Sequence, residues 1–164
     1  MNAYELCQRR VITARRTDEL STAVWVMRER NVGCLVVVDP AGIDGGWRPV
    51  GLLTDRDIVT NVFARDRDPY TVVVDEVMTR HPVTLISTAS IEEALRRMRA
   101  ADVRRLPLVD ERGRLAGILA LDDIFDHLAQ RVPFGATPIR PDLRVDQKLR
   151  AAAAQPGSMG IDRI

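Results

Sequence analysis

The chain is poor in the residues from which metal centres and nucleophilic active sites are built. Cys7 and Cys34 are its two cysteines and His81 and His127 its two histidines. The cysteines lack C-x-x-C spacing and the histidines lie far apart in sequence, so no metal site is expected. Lysine occurs once, at Lys148, and arginine supplies the rest of the positive charge. That bias fits either bidentate anion contacts or a GC-rich coding sequence. Acidic and basic residues cancel to a formal +1, which removes the field that drives sequence-independent nucleic-acid binding. No apolar run approaches the ~20 residues of a membrane span. The opening Met1-Asn2-Ala3-Tyr4-Glu5 lacks the basic and apolar regions of a signal peptide. The expected location is cytoplasmic, with neither nucleic acid nor membrane as a partner. A P-loop, a G-x-S-x-G motif and a His/Cys pair placed for attack are also missing. Asp55 and Asp57 suggest Mg²⁺, but alternate residues on a helix diverge around its axis. No enzymatic activity is expected.

What the chain does have is an apolar fraction of 46% with 29% charged residues, enough for a globular core. It also repeats itself. At a shift of 71, Thr13, Thr17, Ala23, Met27, Val32, Leu35, Val38 and Asp39 fall on Thr84, Thr88, Ala94, Met98, Val103, Leu106, Val109 and Asp110. Past Asp39 the shift drops to 66, and Gly51, Leu53, Asp57 and Ile58 match Gly117, Leu119, Asp123 and Ile124. The length difference falls in the Gly/Pro-rich stretch Pro40 to Arg48, which marks a surface loop.

Both copies read alike. Val11 to Ala14 and Pro82 to Leu85 are short extended segments. Helical spacing follows at Leu20, Val24, Met27 and at Ile91, Leu95, Met98, and Ser90 with Glu93 reads as a capping box. The apolar runs Leu35 to Val38, Val50 to Leu53, Leu106 to Val109 and Leu115 to Leu119 read as buried strands. Asp55 to Ala64 and Leu121 to Ala129 close the copies as helices. The fold class is α/β (α+β), built as β-α-β-β-α twice. One copy alone has a marginal core, so the two are expected to cover each other. The expected divisions are a first repeat over 3–66, a linker over 67–74, a second repeat over 75–131 and a flexible tail over 132–164, with a short helical stretch from Leu143 to Ala154.

Two places are chemically loaded. In Gly51-Leu52-Leu53-Thr54-Asp55-Arg56-Asp57-Ile58 a strand runs into a helix, and a hydroxyl and a carboxylate three residues apart share one face beside free backbone N–H groups. Such a place suits a nucleotide, with the carboxylate on the ribose hydroxyls and Thr54 and the helix start at phosphate. The plainer interpretation makes Thr54 an N-cap and Asp57 its dipole partner. The second copy keeps Asp123 but has Ala120 in place of the hydroxyl. The other loaded place is Val103-Arg104-Arg105-Leu106-Pro107, where two arginines precede a buried strand. A guanidinium there calls for an anion, or for a salt bridge to a neighbour such as Asp102. The first copy has Gly33 and Cys34 at these positions.

The β-α-β-β-α repeat, the R-R-L-P-L-V-D run and the G-h-h-T-x-x-D ending resemble a tandem pair of cystathionine-β-synthase-type (CBS) domains, or Bateman module, over about residues 3–130. The resemblance implies a pseudo-twofold disc with up to two nucleotide clefts. It implies one complete cleft, with Thr54 and Asp57 facing Arg104 and Arg105, Leu52 and Ile58 on its apolar side and Arg56 on the same helix turn. The segments around Ile12-Thr13 and Val83-Thr84 resemble the family's first strands, whose backbone meets the purine edge, and either one can serve this cleft. The pseudo-symmetric cleft would combine Asp123 with Gly33 and Cys34 and bind weakly or not at all. The implied function is a regulatory module that senses energy state by binding AMP, ADP or ATP as a ligand, with no tightly bound cofactor. The alternatives are a scaffold that dimerises without nucleotide, or a module for another adenosyl ligand such as S-adenosylmethionine or NAD. A homodimer through the outer helices is expected, with Trp25 a candidate contact, and a regulated partner protein fits the same reading.

Overall fold

The order of elements follows the repeat. In a computed structural model describing residues 1–43 and 45–131, the first repeat runs β1 (Thr13–Arg15), α2 (Leu20–Arg30), β2 (Cys34–Pro40), β3 (Trp47–Thr54) and α3 (Asp55–Asn61). The second runs β5 (Leu85–Ile86), α5 (Ile91–Ala101), β6 (Arg105–Val109), β7 (Leu115–Ala120) and α6 (Leu121–Arg131). The tail over 132–164, with its expected helical stretch, lies outside the described residues. In each repeat a parallel pair is followed by an antiparallel hairpin: β1 lies on β2 and β2 on β3, and likewise β5 on β6 and β6 on β7. The β2–β3 hairpin carries the longer loop that the change of shift predicted.

Three further elements had no counterpart in the expected pattern: two short helices, α1 (Ala3–Leu6) and α4 (Val74–Val77), and β4 (Thr79–Arg80). They form a crossover. α4 packs on the first repeat, where Val74 and Asp75 N–H groups donate to the carbonyls of Asp18 and Arg16, and β4 extends the first sheet along β3. α1 packs on the second repeat, where Ala3 and Tyr4 N–H groups donate to Ala89 and Ser87, and Gln8 bridges Ile118. The contacts correspond under the shift of 71, Asp18 and Arg16 falling on Ala89 and Ser87. Each repeat is therefore completed by the segment that leads into the other. Val72 and Val74, in the stretch expected as a linker, are 4% and 0% exposed. They are core residues, because the chain must lay an apolar turn against the first repeat before it enters the second.

The crossover sets two glycines. A Cβ at Gly51 would run into the Met78 sulfur, and one at Gly117 would lie 2.5 Å from Cys7 Sγ. These are paired positions of the two repeats, each with the leading segment of the other laid over it.

Two cores result. Leu20, Leu35, Val37, Leu53, Val62, Val74 and Val77 centre the first, and Ala3, Leu85, Leu106, Leu108, Leu119 and Ile124 the second. On α2 the inward stripe is Leu20, Ala23 and Met27, while Val24, expected inside, is 39% exposed. Around the axis Met27 falls between Ala23 and Leu20, and Val24 falls beyond Leu20 on the side away from Ala23. Ser90 does cap α5, accepting from the Glu93 N–H at 3.2 Å, but the Glu93 carboxylate turns to Arg96 and Arg97 instead of closing the box. Both repeats lie within one unit, Met1–His127, in which β3 packs against β7.

Candidate functional site

Burial alternates along β3: Leu53, Gly51 and Pro49 are buried, and Thr54, Leu52, Val50 and Arg48 are more open, Val50 still packing against the first core. Thr54 ends the strand and starts α3. Its Oγ1 accepts from the Asp57 N–H at 3.1 Å and donates to Asp57 Oδ2 at 2.6 Å, and the Thr54 N–H donates to the same oxygen at 2.9 Å. The pair is thus a closed capping box. The other N–H groups of the first turn are also taken, Asp55 donating to the Gly33 carbonyl at 3.2 Å and Arg56 to Asp55 Oδ1 at 2.8 Å. The expected free donors for a phosphate are therefore absent from this helix start, because its own side chains and the neighbouring strand satisfy them.

Asp57 Oδ1 is less engaged. Among the described residues its donor is the Thr79 hydroxyl, at 3.3 Å. A carboxylate offers about four acceptor positions, so this oxygen retains room for another donor. Thr79 belongs to the crossover segment and went unnoticed in the sequence. The signal lay in the repeat, since Thr79 falls on Gln8 at the shift of 71 and Gln8 Nε2 reaches Asp123 Oδ1 at 3.4 Å. Both aspartates take a side-chain donor from the crossover segment, and Asp123 also accepts from the Ala120 N–H at 3.1 Å.

The two arginines diverge. Arg104 pairs with Asp122 at 2.9 Å, both side chains well exposed, and lines a groove of about 680 Å³ on its own repeat with Leu95, Met98 and Phe125. The salt bridge considered for it exists, with Asp122 rather than Asp102 as partner, because the Asp122 carboxylate stands in the first turn of α6 beside the start of β6. Arg105 has no carboxylate partner among the described residues, and its charge acts on the Cys34 thiol of the other repeat. Cys34 is the register partner of Thr54. Burial pushes its thiol up to about 11; Arg105 pulls the other way, and the Asp57 and Asp55 carboxylates add to the rise. Thr54, Asp57, Cys34 and Arg105 therefore share one neighbourhood. A thiol so raised stays protonated near neutrality and is a poor nucleophile or metal ligand.

The set expected for the second cleft is split. Cys34 stands beside Asp57, and Gly33 is so close to Asp55 that an added Cβ would lie 3.0 Å from its Oδ2. Asp123 stands instead near Cys7, whose thiol burial also raises. Leu52 is half-buried on the open face of β3, while Ile58, expected on a cleft wall, is 7% exposed and packs in the first core. Ile12 packs on the same core and its carbonyl accepts from the Val36 N–H, so that group is not free for a purine; Thr13 pairs with Val36 on β2 and is exposed. Arg56 is exposed on α3. No group of three metal-ligating side chains occurs among the described residues, nor any helix long and apolar enough to cross a membrane.

The family model for the CBS domain matches residues 3–64 and 74–130. The chain belongs to the CBS-domain family, as a tandem pair. It is 37% identical over 113 residues to Hypoxic response protein 1 of Mycobacterium tuberculosis, covering 69% of this chain and 75% of that one. It is 32% identical over 120 residues to the uncharacterized protein MK0525 of Methanopyrus kandleri, covering 73% of this chain and 59% of that longer protein. Among solved structures, a protein with CBS domains from Burkholderia ambifaria superposes with a TM-score of 0.72 at 24% identity, over 84% of this chain and 100% of the other. The CBS domain pair of protein MJ0100, solved with 5′-methylthioadenosine and S-adenosyl-L-methionine, has a TM-score of 0.67 at 23% identity, over 78% of this chain and 99% of the other. These two likenesses establish the fold. The class is therefore a tandem pair of CBS domains.

Proposed function

We propose that this CBS pair is a cytoplasmic, non-enzymatic sensor that binds an adenine nucleotide, AMP, ADP or ATP, beside Thr54 and Asp57. The observation that carries the reading is the underused Asp57 Oδ1 and, acting on the same Cys34, an Arg105 from the other repeat that has no carboxylate partner among the described residues. A ribose hydroxyl donates to that oxygen, and the guanidinium meets the α-phosphate in place of the helix start. Leu52 offers apolar surface on the same face of β3. The Asp123 neighbourhood lacks the hydroxyl, with Ala120 at the position of Thr54, and the cation near it, Arg9, lies over the Tyr4 ring; it binds weakly or not at all. Occupancy acts on a regulated partner only through different affinity for two states of the module.

Isothermal titration of the full chain with AMP and with ATP tests this. The expected result is one site per chain with Kd below about millimolar, and a loss of about tenfold or more in Asp57→Ala and in Arg105→Ala. Absence of binding by both nucleotides removes the reading. Competition by S-adenosylmethionine or NAD at lower concentration than AMP would move the assignment to another adenosyl ligand.

A scaffold reading is favoured by a separate observation, the exposure of Trp25 on α2, Val59 on α3, Phe63 beyond it and Phe125 on α6. Apolar residues on the outer helices suit a homodimer. Light scattering with and without nucleotide separates a fixed dimer from a ligand-controlled one.

A further inference from the structure

Arg16, Arg48, Arg80 and His81 converge on a groove of about 490 Å³ that none of Thr54, Asp57 and Arg105 lines. Four stretches of chain build it. Arg16 follows β1, Arg48 lies in β3, Arg80 in β4 with His81 just after it, and Thr84 and Gly113 close it from the second repeat. His81 is held in the left-handed region at φ +53°, its N–H donating to the Val50 carbonyl at 3.2 Å.

The charges are partly compensated. Asp75 clamps two guanidinium groups, Arg16 at 2.8 Å and Arg80 at 2.6 Å, and Asp39 lies 3.5 Å from Arg16. These ion pairs fix the two arginines while leaving donors on each unused, since a guanidinium has about five N–H groups. Arg48 has no carboxylate partner among the described residues. Its Nε is 3.9 Å from where a Cβ on Gly113 would stand, so the missing side chain leaves its guanidinium open toward the second repeat. Among the described residues no aspartate or glutamate lines the groove.

The pseudo-symmetric place differs at two positions. Ser87 stands where Arg16 does, and Arg114, the counterpart of Arg48, is tied to Asp110 at 2.7 Å, while Arg9 and Arg10 fall on Arg80 and His81. What sets this side apart is the added Arg16, held beside Arg80 by Asp75, and an Arg48 with no carboxylate partner among the described residues.

We propose that this groove is a second ligand site, separate from the Asp57 site, for a compound carrying two or more linked phosphate groups. The rigid pair Arg16 and Arg80 offers forked donors to one phosphate, and Arg48 with His81 meets the next.

Inorganic pyrophosphate titrated into the full chain at fixed ionic strength is the probe. One saturable site is expected, weakened about tenfold or more in Arg48→Ala, less in Arg48→Lys, and unchanged in Asp57→Ala. Arg48 is exposed, so its variants fold, which thermal unfolding checks. Lack of saturable binding overturns the proposal. So does binding that Asp57→Ala abolishes and Arg48→Ala leaves intact, which would put the anion in the other site. ATP titrated into Asp57→Ala then distinguishes the source: binding sensitive to Arg48→Ala makes a nucleotide tail the occupant, and its absence confines the groove to free polyphosphate. AMP binding at Asp57 is read independently of both arms.

Discussion

Thr79, on the strand that leads into the second repeat, donates its hydroxyl to Asp57 Oδ1 at 3.3 Å and so ties the crossover to the capping box of the first repeat. The bond is long and between half-exposed groups, and a bond of this kind is worth about 0.5–1.5 kcal/mol at most. Thr79→Val should lower the midpoint of urea unfolding slightly without changing its slope. It also frees an acceptor on Asp57, so AMP affinity should stay within about threefold of wild type or improve, whereas Asp57→Ala loses about tenfold or more. If Thr79→Val weakens AMP as much as Asp57→Ala does, the hydroxyl itself touches the ligand.

Close packing at the crossover makes a sharper stability prediction. In Gly51→Ala the new methyl meets the Met78 sulfur, and in Gly117→Ala it meets Cys7 Sγ. Overpacking of this kind costs about 1–3 kcal/mol. Because Met78 is unbranched and adaptable, Gly51→Ala combined with Met78→Ala should recover part of the loss, a coupling that a double-mutant cycle in urea measures. Additive losses would mean that the glycine serves its own backbone and not the crossing segment.

Asymmetry between the caps can be reversed by substitution. Thr54→Ala removes a side chain that caps α3, at a cost of about 1 kcal/mol. Ala120→Thr puts a hydroxyl in front of Asp123, where the Ala120 N–H already donates to the carboxylate, and should raise the unfolding temperature. A second AMP equivalent appearing in titrations of Ala120→Thr would make the missing hydroxyl the reason the second place is weak. An unchanged stoichiometry with raised stability leaves the hydroxyl a cap and nothing more.

The extent to which this was readable from sequence divides along the length of the elements. Leu35 to Val38 and Leu106 to Val109 announced buried strands because each run fills one short stretch between turns, and matching residues at a constant shift made the two-repeat architecture plain. The crossover stayed hidden because α1 and α4 have four residues each, too few for a period, and neither has a core of its own. Their stability comes from the other repeat, which a local pattern does not record. The shift does continue through them, with Ala3, Leu6 and Cys7 falling on Val74, Val77 and Met78. At the site, the Thr54 and Asp57 motif was legible but its interactions were not. Spacing alone cannot tell a hydroxyl that caps a helix from one that waits for a phosphate. The divergence of Arg104 and Arg105 was likewise not legible, because Arg105 opens β6 whereas Arg104 stands in the bend just before it.

Burial of Cys34 gives a pH-dependent prediction. Its folded pKa of about 11 lies above the ordinary thiol value of 9.0. A raised pKa contributes stability that is fully present below the unfolded value and is lost as pH rises through the folded one. At about pH 8, iodoacetamide should label Cys34 in the folded protein far more slowly than in urea, with Cys7, also raised, affected in the same direction. Peptide mass spectrometry over a time course checks it. Equal rates for Cys34 in folded and unfolded protein would show that the thiol is open to solvent. Arg105→Ala removes the one nearby cation that lowers the thiol pKa and should slow labelling of Cys34 further. An acceleration would instead show that Arg105 shields the thiol from the reagent.

Association through the outer helices rests on a few large side chains. Trp25 is 61% exposed on the face of α2 turned away from the first core, and Val24, 39% exposed, flanks the inward stripe. A tryptophan left in water forgoes about 1.5–3 kcal/mol or more of burial, and aromatic residues anchor protein interfaces more often than other types. If the pair dimerises through this face, Trp25→Glu should shift light scattering from dimer to monomer while circular dichroism and the urea slope stay unchanged. A wild-type monomer at high concentration excludes the dimer altogether. A dimer that survives Trp25→Glu but dissociates in Phe125→Glu would move the interface to α6, whose exposed Phe125 lines the groove that also holds Arg104.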